Sequence, residues 1–244
     1  MEEPKYRIRA VHTASTITVY QAYAPEIGLP AARHGRFPAT WKRDRMTWIK
    51  PSFLWMMYRC GWATKEGQRT VLAVEITREG FEWALRHACL SHYERDLHPD
   101  RATWKRRLGD APARVQWDPE RDLHLRPLPH RSLQLGLSHE AARRYADEWT
   151  VAITDVTPLA REIHTLTRDA PDAAAGLLPE ERPYPVEDGL LSHLCPQPAA
   201  EPPPQDQGHT SDSTGPEVHR CPPATGSRRL IRMITARPPG TIQT

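Results

Sequence analysis

The sequence predicts an α+β fold: a single mixed domain of five or six strands with interleaved short helices, followed by a long disordered tail. Three observations carry that prediction. All eight Trp and all three Phe lie at or before Trp149, whereas the 75 residues from Ala170 hold 14 Pro and one aromatic, Tyr184. A stretch so poor in apolar mass cannot offset the ordering cost of roughly 1–2 kcal/mol per residue. Strand-like and helix-like runs in the first part alternate irregularly, without the even rhythm of a doubly wound sheet. The domain is therefore placed at Tyr6–Arg168 and the tail at residues 170–244.

The elements follow in order. Tyr6–Val11 and Thr16–Ala22 read as strands, rich in β-branched and aromatic residues. Pro25 suits the first turn of a helix and Gly35 its C-terminal cap, with Pro30 interrupting any long helix. A basic loop, Arg36–Arg45, comes next. Ser52 opens the apolar helix FLWMMYRC, which Gly61 stops. Val71–Ile76 is a strand, and Thr77 caps a helix around Phe81–His87. Asp100 starts another helix, closed at Gly109. Arg114–Trp117 is a short strand leading to a turn at Asp118, Pro119 and Glu120. Ser132–Leu137 is a strand, and Ser138 caps a helix to about Glu148. Thr150–Val156 is the last strand. Thr157 as cap and Pro158 at the first position open a helix reaching about Thr167.

Within this frame Phe53, Leu54, Met57, Val71, Leu72, Val74 and Ile153 are predicted core. The net charge of +3 divides unevenly, because the last 75 residues hold 6 Arg against 9 acids. The domain is thus basic, which suits a phosphate-bearing or polyanionic partner. The start MEEPKYRIR is charged and polar, and no run approaches the ~18 apolar residues of a membrane span. The four cysteines show no CxxC spacing. A cytoplasmic protein with reduced thiols and no membrane partner is expected.

Motifs exclude much. GxSxG, P-loop, GxGxxG and HExxH patterns are absent from the sequence. His87, Cys89 and His92 lack zinc-ligand spacing, so no metal is expected. Basic residues interleave with rings over Trp41–Lys50, a pattern able to grip phosphates and stack bases. Polar residues also stand where burial is expected: Gln21 in the second strand, Lys50 and Ser52 before the apolar helix, and Gln134 in SLQLGL. Buried polar groups are paired or serve a ligand.

The strings ITVYQAYAPEI, RMTWIKPSFLWMMYR, EITREGFEWALRHACLSHY, VQWDPERDLHLRPLPHRS and EWTVAITDVTP identify the chain as a member of a family catalogued as domain of unknown function 4291, over Tyr6 to Thr167. Its name implies no activity. Val19–Ile27 followed by Gly35 also resembles the opening of the ADP-ribosyltransferase-like fold, with Gln21 where that family places His or Arg. That resemblance implies NAD or a related nucleotide as substrate. Gln21 and Tyr23 would face the ribose or nicotinamide, and Arg45, Lys50 and Ser52 the cofactor side. Glu120 or Gln134 would stand at the reacting ribose. Three readings follow: an ADP-ribosyltransferase-like nucleotide-binding domain, a nucleic-acid-binding module on Trp41–Lys50, or a non-catalytic small-molecule-binding protein.

Overall fold

A computed structural model describes residues 4–187 and 189–196. Helices and strands mix in an α+β arrangement with three sheets. Strand β1 is Arg9–Ala10, β2 is Thr16–Tyr23, and helix α1 is Pro25–His34. Strand β3 is Thr47–Ile49, α2 is Phe53–Cys60, β4 is Thr70–Thr77 and α3 is Arg78–Arg86. Then come β5 (Ala88–Leu90), α4 (Arg101–Asp110), β6 (Ala113–Arg121) and β7 (Pro127–Leu137). Helix α5, His139–Arg144, continues into a π-helical turn, Tyr145–Trp149. Strand β8 (Thr150–Asp155), α6 (Thr157–Asp169), α7 (Pro171–Gly176) and β9 (Arg182–Pro183) complete the chain as described.

One sheet has the order β2-β4-β8, antiparallel throughout. A second has the order β3-β7-β6-β5, with only the β5–β6 pair parallel. They meet where Tyr20 N donates to Lys50 O at 2.7 Å and Lys50 N donates to Tyr20 O at 3.3 Å. Period-two alternation sends β2 and β4 into two cores. Ile17, Val19, Leu72, Val74 and Ile76 join a large cluster that also takes Val115, Trp117, Leu133 and Leu135 from the second sheet. Tyr20, Ala22, Val71 and Ala73 face a smaller cluster built by α2 and α6.

Several caps form as the sequence indicates. Ser52 Oγ accepts from Trp55 N, Thr77 Oγ1 from Gly80 N and Asp100 Oδ1 from Thr103 N. Gly35 and Gly61 end their helices in the left-handed region, which glycine enters without steric cost. Other expectations need correction. Helix α1 runs on through Pro30, and α4 continues past Gly109. Thr157 is no cap; it lies inside α6, and its Oγ1 accepts from Val71 N at 2.8 Å. Ser138 Oγ donates to Pro112 O instead of capping. Only Arg9–Ala10 of the first expected strand pairs as one, and β3 and β5 lie in stretches to which the sequence assigned no element. The predicted turn at Asp118, Pro119 and Glu120 is strand β6, irregular between Pro119 and Arg121. Leu54 is only partly buried, while the other six predicted core residues are buried.

The largest correction is the boundary. The folded part does not stop at Arg168. Helix α7 packs beyond it, β9 pairs with β1, and Tyr184, Leu190 and Leu194 are buried in the large core. Trp117 Nε1 donates to Leu194 O at 2.8 Å. The remainder of the expected tail, residues 197–244, lies outside the described residues. No described helix is long and apolar enough to cross a membrane.

Candidate functional site

A cleft of about 720 Å³ opens at the seam between the two sheets. Its lining combines Gln21 and Tyr23 of β2, Thr47, Trp48 and Lys50 in and after β3, and Gln116 and Gln134 of β6 and β7. Lys42, Arg45 and Arg59 put three cations on it, against one carboxylate, Glu66. Alternation on β6 and β7 explains the two amides. Val115, Trp117, Leu133 and Leu135 turn into the core, so Gln116 and Gln134 turn away from it. The two face each other in register, and Gln134 Nε2 donates to Gln116 Oε1 at 3.1 Å. Gln116 Nε2 then donates to Asp118 Oδ1 at 3.0 Å.

Gln21 is the hub of the wall. Its Nε2 donates to Thr47 Oγ1 at 2.6 Å and to Trp48 O at 3.0 Å, while its Oε1 accepts from Tyr145 OH at 2.7 Å. Both amide hydrogens are therefore used within the protein. Trp41 Nε1 donates to Tyr23 OH at 2.9 Å, and burial lifts the Tyr23 and Tyr145 phenols above their ordinary range, keeping both protonated. The network holds β3 against β2 and presents Trp48 to the cleft. Gly136, opposite Trp48 on β7, leaves room for that indole: a Cβ there would approach the ring to 2.9 Å.

Lys50 is the least usual group. It is only 3% exposed, its Nζ has no hydrogen-bond partner among the described residues, and it stands 3.8 Å over the Trp55 ring. Burial pushes its amine well below the ordinary lysine range; Asp118 opposes that shift and Arg59 adds to it.

Five of the seven predicted site residues, Gln21, Tyr23, Arg45, Lys50 and Gln134, line this cleft. Ser52 and Glu120 do not. Ser52 Oγ donates to Glu120 Oε1 at 2.8 Å in a buried cluster at the start of α2. There Glu181 Oε1 accepts from Phe53 N at 2.6 Å. Burial raises Glu120 above the usual carboxylate range, and burial with the neighbouring Glu120 charge lifts Glu181 to about 8. The irregularity before Arg121 separates Glu120 from the Gln116 and Asp118 row. Besides Glu66 on the lining itself, the carboxylate that adjoins the lining through Gln116 is thus Asp118, which sequence reasoning assigned to a turn. Arg59 and Gln116 were also missed; Gln116 was legible as the polar member of the alternation in VQW.

The rings of Trp41–Lys50 serve the fold as well as the cleft. Trp41 is buried and stacks on Phe37 at 4.8 Å, while also belonging to the cleft lining. Among the described residues no three His, Cys, Asp or Glu side chains gather as a metal site. In comparisons with known proteins, a family model described as domain of unknown function (DUF4291) matches residues 7–184, reaching beyond the boundary expected from sequence. No curated protein matches the chain.

Proposed function

We propose, for a chain that belongs to the domain of unknown function (DUF4291) family and so takes no activity from the family's description, that the seam cleft is the nucleotide site of an ADP-ribosyltransferase-like domain binding NAD or a related nucleotide. One observation supports this above the others: Gln21, Tyr23, Arg45, Lys50 and Gln134, chosen from separate parts of the sequence, line one cleft. Its volume of about 720 Å³ lies within the usual ~300–1,000 Å³ range of small-molecule sites. Lys42, Arg45 and Arg59 suit a pyrophosphate, since guanidinium groups hold phosphate oxygens through paired N–H donors. The Trp48 ring and Ile27 offer apolar surface to a base, and the Gln116–Gln134 pair offers amides to sugar hydroxyls.

The reaction implied breaks the bond between nicotinamide and ribose and passes the ribosyl carbon to an acceptor nucleophile. Glu120 stands outside the cleft, so nucleotide binding is the part of the reading with geometric support. The test reads the two separately, by calorimetric titration of NAD and ADP-ribose and by assay of nicotinamide release. Arg45→Ala and Arg59→Ala each remove a charged contact worth roughly 1.5–3 kcal/mol. Both variants are expected to weaken binding at least about tenfold, at an unchanged melting temperature. A wild-type chain that binds neither ligand, but binds short single-stranded RNA with steep salt dependence, would replace this reading by the nucleic-acid module.

A further inference from the structure

Lys50 has features that holding a phosphate does not require. A lysine recruited only for its charge usually keeps its ammonium hydrated or paired. This amine is buried, lies on the Trp55 face and hydrogen-bonds to no described residue. It nevertheless belongs to the lining of the cleft, beside Arg59. Strand register fixes its neighbours. Ile49 pairs with Leu135, so Lys50 emerges next to Gln134, and Gln116 opposite Gln134 leads to Asp118. Asp118 and Arg59, from β6 and α2, are the charged groups whose fields act on the amine; Gln116 and Gln134 share the cleft lining with it. Asp118 Oδ1 is held by Gln116, while Oδ2 is buried without a partner among the described residues.

Two conditions make a lysine amine nucleophilic near neutral pH: removal from water, and a second cation close by. Lys50 meets both. Its four-carbon stem turns about single bonds, and no hydrogen bond holds the amine back from the cleft that the residue lines.

We propose that Lys50 is a carbonyl-reactive amine, forming an imine with a phosphate-bearing aldehyde or ketone held in the cleft. The Nζ lone pair attacks the carbonyl carbon and gives a carbinolamine. Asp118 carries a proton from nitrogen to the leaving oxygen. Carbon and nitrogen become doubly bonded, and the carbonyl oxygen leaves as water with the two hydrogens of the amine. No oxidant or reductant is involved. The cations Arg45 and Arg59 hold the phosphate, which selects a phosphorylated carbonyl compound over a free sugar.

The proposal shares its cleft with the nucleotide reading but does not require NAD as the ligand. The full-length chain carries its own controls, because Lys5, Lys65 and Lys105 are exposed and stand outside the cleft lining, whereas Lys42, also exposed, belongs to it and is not counted among them. Ribose 5-phosphate and ADP-ribose both open to aldehydes. Each is incubated with the protein at about pH 7, where ordinary lysines with pKa near ~10.4 are protonated. Sodium cyanoborohydride reduces any imine to a stable amine, and peptide mass spectrometry locates it. At least about tenfold more adduct is expected on Lys50 than on any control lysine. Asp118→Asn is expected to slow the labelling. Adducts spread over the control lysines, with Lys50 labelled no more than they are, would overturn the proposal. If ADP-ribose binds and Lys50 stays unlabelled, the imine falls and the nucleotide reading stands. If ribose 5-phosphate labels Lys50 in a chain that binds neither NAD nor ADP-ribose, the nucleotide reading falls and the imine stands.

Discussion

Replacing Glu181 by Gln exchanges a buried carboxylic acid for the amide closest in shape to its protonated form. Glu181 belongs to the segment between α7 and β9, and its Oε1 accepts from Phe53 N, one of the first free amides of α2. Burial holds the acid at about 8, against an ordinary value of 4.5. A folded pKa above the unfolded one means that the native state keeps a proton the unfolded chain has released. That contribution is fully present below pH 4.5 and is lost as pH rises to about 8. At about 1.36 kcal/mol per unit, the shift sets an upper bound of about 5 kcal/mol. Water entry or rotation of the side chain relieves part of this, leaving a few kcal/mol. Gln keeps the acceptor for Phe53 N and never ionises. Near pH 4 the variant should therefore match wild type. Near pH 8.5 it should be more stable, by roughly 2–4 °C for each kcal/mol in a domain of this size. Thermal unfolding followed by circular dichroism across that range is the assay. Carboxylates such as Asp100, Asp122 and Asp147, which backbone or arginine contacts hold below their ordinary range, titrate alike in both chains and cancel in the difference. A difference between the two chains that stays constant with pH, or favours wild type at high pH, would refute the reasoning.

Three further outcomes follow from the packing. A chain ending at Arg168 loses Glu181, Tyr184, Leu190 and Leu194, and should unfold at far lower denaturant concentration than one ending at Pro196; equal midpoints would return the boundary to Arg168. Gly80→Ala should destabilise by roughly 1–3 kcal/mol, because a Cβ there meets the Trp149 ring at 2.3 Å, whereas helix propensity alone favours alanine by about 1 kcal/mol. Chemical denaturation reads the sign directly. Ile153→Ala should cost roughly 2–5 kcal/mol, and Leu54→Ala clearly less, since Leu54 is only partly buried; equal costs would contradict the burial difference.

Sequence by itself determined the elements whose signals are local. Richness in β-branched and aromatic residues marks TITVYQA and VLAVEI as strands, because such side chains fit a pleated surface; that both faces turn into cores only the structure decides. Ser52, Thr77, Asp100, Gly35 and Gly61 mark helix ends because orphan amides and left-handed turns are satisfied within a few residues. The odd polar residues, Gln21, Lys50 and Gln134, were legible because a polar group in an apolar run requires a partner. What they do was not legible. Gln21 is spent on Thr47, Trp48 and Tyr145, up to 124 residues away, and no local pattern encodes that distance. Glu120 and Asp118 are two positions apart, yet one is buried against Ser52 and the other stands beside the cleft, because an irregularity in β6 breaks the alternation between them. The segment after Ala170 looked too poor in apolar residues to fold. For residues 170–196 tertiary structure decided otherwise: a few side chains, Tyr184, Leu190 and Leu194, complete a core whose ordering cost the rest of the domain already meets.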